Sequence, residues 1–174
     1  RAKDFLPQLK HDKPISYSNF KYGLIFILWG LVLKVVLADN LAISVERLFS
    51  NPFYKNGLYS LICVFFYGFQ IYGDFAGYSL IAIGLARILG FVFPTNFNKP
   101  YFSRSFSEFW KRWHISLSSW LRDYLYIPLG GNRGSRLKVF RNLMTTMILG
   151  GLWHGASWAF LFWGFGTFLA LIIF

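Results

Sequence analysis

Residues 143–174 read LMTTMILGGLWHGASWAFLFWGFGTFLALIIF and contain no Asp, Glu, Lys or Arg. As one helix at 1.5 Å per residue the run would be roughly 48 Å long, well beyond a hydrocarbon core of ~30 Å. It therefore reads as a broken helix, with Gly150, Gly151 and Gly155 marking the break. Two further apolar runs lie upstream. Residues 22–38 are interrupted only by Lys34, which lies near the end of the run and can snorkel. Residues 58–93 are apolar except for Gln70, Asp74 and Arg87. At roughly 54 Å this second run is also too long for one crossing, and a break is expected near Gly73 and Asp74. A loop is expected over 39–57, with a turn at Asn51-Pro52. The pattern predicts an all-α polytopic membrane protein with short or broken helices.

Composition agrees. The 174 residues are 55% hydrophobic, 22% aromatic and 14% charged. Soluble globular chains carry about 25% charged residues, so an ordinary soluble domain, a disordered tail and a disulfide scaffold are all excluded. The single cysteine, Cys63, permits no intramolecular disulfide. The net charge of +11 reads as cationic loops beside a lipid surface rather than as a nucleic-acid footprint, because the basic patches alternate with apolar spans. Residues 94–141 hold nine of the 18 basic residues and only two acids, Glu108 and Asp123. That segment and residues 1–21 both read as cytoplasmic, which requires one piece of 58–93 not to cross. The chain starts at Arg1 and stops inside an apolar run, and is expected to be a single fragment, 1–174, of a larger membrane domain.

Residues 105–126 follow another rule. Phe106, Phe109, Trp110, Trp113, Leu117, Trp120, Leu121 and Tyr124 recur at spacings of three and four, placing them on one helical face. Glu108, Lys111, Ser118, Ser119 and Arg122 lie opposite. Ser105 and Glu108 match a capping box, and Pro128, Gly130 and Gly131 end the element. The expected structure is one amphipathic helix in the membrane interface, either a plain anchor or one wall of a reaction chamber.

Three histidines are candidates for chemistry. His11 lies in the polar leader and reads as solvated. His114 lies at the edge of the apolar sector of 105–126, and His154 sits inside the longest apolar run, between Trp153 and Gly155. An ionisable side chain at membrane depth is a functional candidate, and a neutral imidazole there can act as a general base. Helix packing is the competing reading, since Gly151 to Gly155 is a small-xxx-small pattern. Asp74 is either a buried helix-breaking cap or a lining residue. There is no Walker A or dinucleotide fingerprint, and the histidine spacing offers no local metal site.

Several stretches closely resemble the membrane-bound O-acyltransferase family. These are 96–101 (NFNKPY), 109–118 (FWKRWHISLS), 120–133 (WLRDYLYIPLGGNR) and 151–156 (GLWHGA). The stretch IPLGGNR is nearer the alginate O-acetyltransferase branch than the D-alanyl teichoic-acid branch. Residues 71–79 (IYGDFAGYS) also resemble that branch, although Leu80 stands where an acidic residue often follows. The resemblance implies His154 as the essential catalytic residue and His114 as a supporting one. Trp113, Trp153, Arg122, Asp123, Asn132 and Asp74 would contact substrate. No bound cofactor or metal is implied. The donor would be a cytoplasmic acyl thioester such as acetyl-CoA, and the acceptor an exported polysaccharide reached through an extracytoplasmic partner protein. The setting would be the bacterial cytoplasmic (inner) membrane, with lipid around the spans. A break in 150–157, with the interfacial helix bringing His114 near it, is the expected site. A transporter or channel subunit using Asp74, Arg87 and His154 is the alternative. No internal repeat of the kind transporters often carry is visible.

Overall fold

The computed structural model describes residues 1–10, 13, 16–50 and 57–173; His11 and the Asn51-Pro52 turn lie outside the described residues. Among the described residues eight α-helices follow one another: α1 (Ala2–Leu9), α2 (Tyr17–Leu31), α3 (Asp39–Ser50), α4 (Gly57–Ile88), α5 (Phe106–Arg112), α6 (Ile115–Leu121), α7 (Arg136–His154) and α8 (Trp158–Ile173). Among the described residues there is no strand. The chain divides into two compact units, Arg1–Thr95 and Asn96–Phe174.

In the first unit α2 and α4 run antiparallel in close contact, and glycine makes the contact possible. A Cβ on Gly30 would stand 2.7 Å from the Gly77 carbonyl oxygen, and one on Gly84 would stand 2.5 Å from that of Gly23. The two helices thus touch backbone to backbone at two levels, seven residues apart on each, as small residues allow inside lipid. Their outer faces are greasy. Leu28 and Trp29 of α2 and Leu61, Val64 and Phe65 of α4 are exposed.

Two expectations change here. No break occurs at Gly73-Asp74, because α4 continues to Ile88. Gly73 lies against the Leu33 carbonyl, where a Cβ would meet that oxygen at 3.0 Å, so close packing accounts for this glycine. The expected loop over 39–57 is helical as far as Ser50. Between α2 and α3 the helix widens into a π-helical stretch, Val32–Ala38. A π turn brings residues five apart onto one face. Lys34 accordingly reaches Asp39 at 2.8 Å, and it also reaches Asp74 across the helix pair at 2.7 Å. The continuous helices Tyr17–Ser50 and Gly57–Ile88 are long and apolar enough to cross a membrane.

The second unit centres on the antiparallel pair α7 and α8. A Cβ on Gly164 would lie 2.5 Å from the Met147 carbonyl oxygen, and Phe140 meets Phe168 edge-on at 4.7 Å. The break between the two helices falls at 155–157, within the expected window. Residues 105–126 are helical, but in three pieces. α5 ends at Arg112, α6 begins at Ile115, and a π-helical turn, Arg122–Tyr126, follows.

Candidate functional site

Ser105 caps α5 by accepting from the Glu108 amide at 3.1 Å. Glu108 does not return the bond to Ser105 itself. Its Oε2 accepts from the Arg104 amide at 2.7 Å, and its Oε1 pairs with Arg112 at 2.6 Å. The Arg104 amide, with Arg112 beside it, holds the Glu108 carboxyl below its usual range.

At His114 the chain turns left-handed, with φ 43° and ψ 54°. A side chain other than glycine rarely accepts this conformation, so the surroundings must enforce it. Asn96 does so. Its carbonyl oxygen accepts from Ile115 N at 3.0 Å, and its Oδ1 accepts from Ser116 N at 3.2 Å. Two orphan amides at the start of α6 are thereby satisfied. The spacing pattern did not reveal this break, because His114 keeps the apolar period on both sides. The Ser116 hydroxyl lies 3.4 Å from His114 Nδ1.

Ser135 caps α7, which ends at His154. Its buried Asn142 donates to the Gly131 carbonyl at 3.2 Å, which anchors the turn after the second π-helical stretch. Tyr126 donates to Asn132 Oδ1 at 2.5 Å. Arg122 pairs with Asp123 at 2.8 Å.

These elements enclose a cavity of about 360 Å³. His154, Gly150, Met147 and Leu143 line it along α7, which at 1.5 Å per residue makes it roughly 16 Å long. Trp163, Thr167 and Leu171 line it from α8, and Trp110, Ser118 and Arg122 from the opposite side. A largely apolar cleft with a few placed polar groups is the usual form of a small-molecule site.

His154 is exposed toward this space and held among rings. It meets Trp163 edge-on at 5.2 Å and stacks on Phe160 at 5.9 Å. Trp153 meets both histidines edge-on, at 5.2 Å from His154 and 6.4 Å from His114. Burial, and secondarily the charge of His154, hold His114 below its ordinary value of 6.5.

The residues expected at the site fall in different places. His154 and Arg122 line the cavity, and His114, Trp153 and Asp123 flank it. Trp113 packs on Phe97 and Phe109 at 4.9 and 5.5 Å, and Asn132 secures the turn after Tyr126. Asp74 belongs to the first unit, in the ion pair with Lys34. Arg87, also in that unit, lies over the Tyr22 ring at 5.1 Å. In the sequence Trp110 reads only as part of an apolar stripe, whose period carries no sign of its place in the cavity wall. Among the described residues no group of three or more His, Cys, Asp or Glu could hold a metal ion.

Residues 2–174 match the sequence model of MBOAT, the membrane-bound O-acyltransferase family. The chain belongs to the membrane-bound O-acyltransferase family. As a family member with two membrane-length apolar helices and no strand among its described residues, it is an all-α integral membrane protein. It is 47% identical to the probable alginate O-acetylase AlgI of Azotobacter vinelandii, over 98% of this chain and 34% of that protein. It is 41% identical to the peptidoglycan O-acetyltransferase of Helicobacter pylori, over 98% of this chain and 33% of that protein. To the teichoic acid D-alanyltransferase of Streptococcus thermophilus it is 35% identical, over 85% of this chain and 38% of that protein. The chain thus spans about a third of the length of these family members.

Proposed function

We propose that this chain carries the reaction centre of an O-acyltransferase that moves an acetyl group from a thioester to a hydroxyl of an exported polysaccharide. The names of the relatives support the acyl chemistry and a cell-envelope polymer as acceptor. The observation that carries the reading is His154, presented at a helix break to an apolar cavity with a second imidazole nearby.

In this reading the acyl carbonyl lies beside His154. The neutral imidazole accepts the proton of the attacking hydroxyl as the new C–O bond forms. The tetrahedral oxyanion then collapses, the C–S bond breaks, and the leaving thiolate takes up the proton held by the His154 imidazolium. His154 acting instead as the acyl carrier needs the same placement, with the imidazole nitrogen as nucleophile. His114 acts through position, beside Trp153. The donor is a cytoplasmic thioester such as acetyl-CoA, and an extracytoplasmic partner protein completes delivery across the bacterial cytoplasmic membrane.

The test is incubation of membranes containing the full-length protein with radiolabelled acetyl-CoA. Label on polymer or on a partner protein is the expected result. Proton or ion flux without label would overturn the reading in favour of transport.

A further inference from the structure

Gly150 and Gly151 are neighbours in α7, yet their surroundings differ. A Cβ on Gly151 would stand 2.4 Å from the Phe160 carbonyl oxygen and 3.0 Å from the Gly164 Cα, so this glycine lets α7 and α8 touch backbone to backbone. A Cβ on Gly150 would meet one atom of the described residues beyond its own helix within 4 Å. That atom is Leu121 Cδ1, at 3.1 Å, the end of a flexible side chain. The remaining space in front of Gly150 is the cavity, which it lines together with Leu121 and His154.

Gly150 lies four residues before His154, one turn along the same face and roughly 6 Å down the axis. Helical side chains lean toward the start of their helix, so the imidazole borders the gap over Gly150. Beyond it the wall continues through Met147 and Leu143, with Leu171 facing them from α8. Two hydroxyls line this stretch, and each donates to its own helix. Thr146 donates to the Asn142 carbonyl and Thr167 to the Gly164 carbonyl, both at 2.8 Å. A sugar ring would find too few partners for its hydroxyls there, whereas an alkyl chain needs none.

We propose that Gly150 sets the size of the acyl group that is transferred. With the acyl carbonyl beside His154, the alkyl tail lies over Gly150 and runs along the apolar wall toward Met147. A cavity of about 360 Å³ holds more than a methyl group there, so the site takes propionyl as well as acetyl. This deepens the acyl-transfer reading and rests on it. The bonds made and broken are the same, C–O for C–S, and only the transferred chain is longer.

Membranes containing the full-length protein are given radiolabelled acetyl-CoA or propionyl-CoA, and label on polymer or partner protein is followed. Wild type should transfer both groups. Gly150→Ala should lower kcat/KM for propionyl at least roughly tenfold more than for acetyl, the discrimination one methylene gives in an apolar pocket. Its unfolding midpoint should hold, because alanine suits a helix interior better than glycine and only the Leu121 side chain need turn. Gly151→Ala carries the same helix preference but should lower the midpoint and depress both substrates alike. The assignment is overturned if wild type does not transfer propionyl, if Gly150→Ala affects the two thioesters equally, or if its midpoint falls as far as that of Gly151→Ala. His154→Ala is assayed alongside. If it is inactive while Gly150→Ala shows no selectivity, only the Gly150 role fails; if it keeps full activity, the acyl-transfer reading itself fails.

Discussion

His114 and His154 both meet the Trp153 indole edge-on, with ring centroids 6.4 and 5.2 Å away. Burial disfavours protonation of His114, and the charge of His154 adds to the effect. The folded protein therefore binds a proton at His114 less readily than the unfolded chain, whose value lies near 6.5. Linkage fixes the sign: the stabilising contribution is fully present above 6.5 and is lost as pH falls through the window between that value and the lower folded one. The thermal midpoint of the wild-type protein should thus drop more steeply below pH 6.5 than that of His114→Asn. Thermal unfolding in detergent at several pH values checks this, and parallel curves would count against it.

The left-handed backbone at His114 gives a second prediction. Glycine accepts φ 43° without the Cβ penalty and alanine does not. His114→Gly should be more stable than His114→Ala by about 1 kcal/mol. Both should impair acetyl transfer less than His154→Ala does. Equal unfolding midpoints for the two variants would show that the strain is relieved elsewhere.

Asn96 holds the start of α6 through its carbonyl and its side chain. Asn96→Ala keeps the first bond and loses the second. The expected cost is about 1 kcal/mol, the usual value of a lost N-terminal cap. Because α6 begins immediately after His114, acetyl transfer should fall as well, through kcat. An Asn96→Asp variant, which retains an acceptor oxygen, should recover most of both.

Close approach of α2 and α4 can be tested at Gly77. A Cβ there would stand 2.6 Å from the Gly30 carbonyl oxygen, so the helices must separate to admit it. Gly77→Ala should cost about 1–3 kcal/mol, as other overpacking substitutions do. Gly166→Ala, where a Cβ meets nothing within 4 Å, is the matched control and should leave the midpoint nearly unchanged.

Parts of this arrangement were legible in the sequence because they follow local rules. The glycines around His154 marked a helix end, and the chain leaves its helix immediately after that residue. The cap at Ser105 followed from residue types alone, since its oxygen and the Glu108 amide are only three residues apart. Gly73 and Asp74 misled because their partners are distant in sequence. A glycine reads as a breaker until the Leu33 carbonyl opposite it is known, and a carboxylate reads as a cap until Lys34 is found beside it. His114 was hidden for a related reason. Its turn is imposed by Asn96, eighteen residues earlier, and no helical period reports such a constraint. Trp110 was visible only as bulk, because an apolar stripe says nothing about which of its members line a cavity.

The account depends on His154 as the group that handles the acyl transfer. The direct measurement is the rate of labelled acetyl transfer by the full-length protein with His154→Ala, at matched membrane abundance and unfolding midpoint. The side chain is exposed to the cavity, so its removal should leave the fold intact. Loss of transfer by at least roughly 10³-fold, with insertion and midpoint retained, is the predicted result. Transfer at the wild-type rate would contradict it.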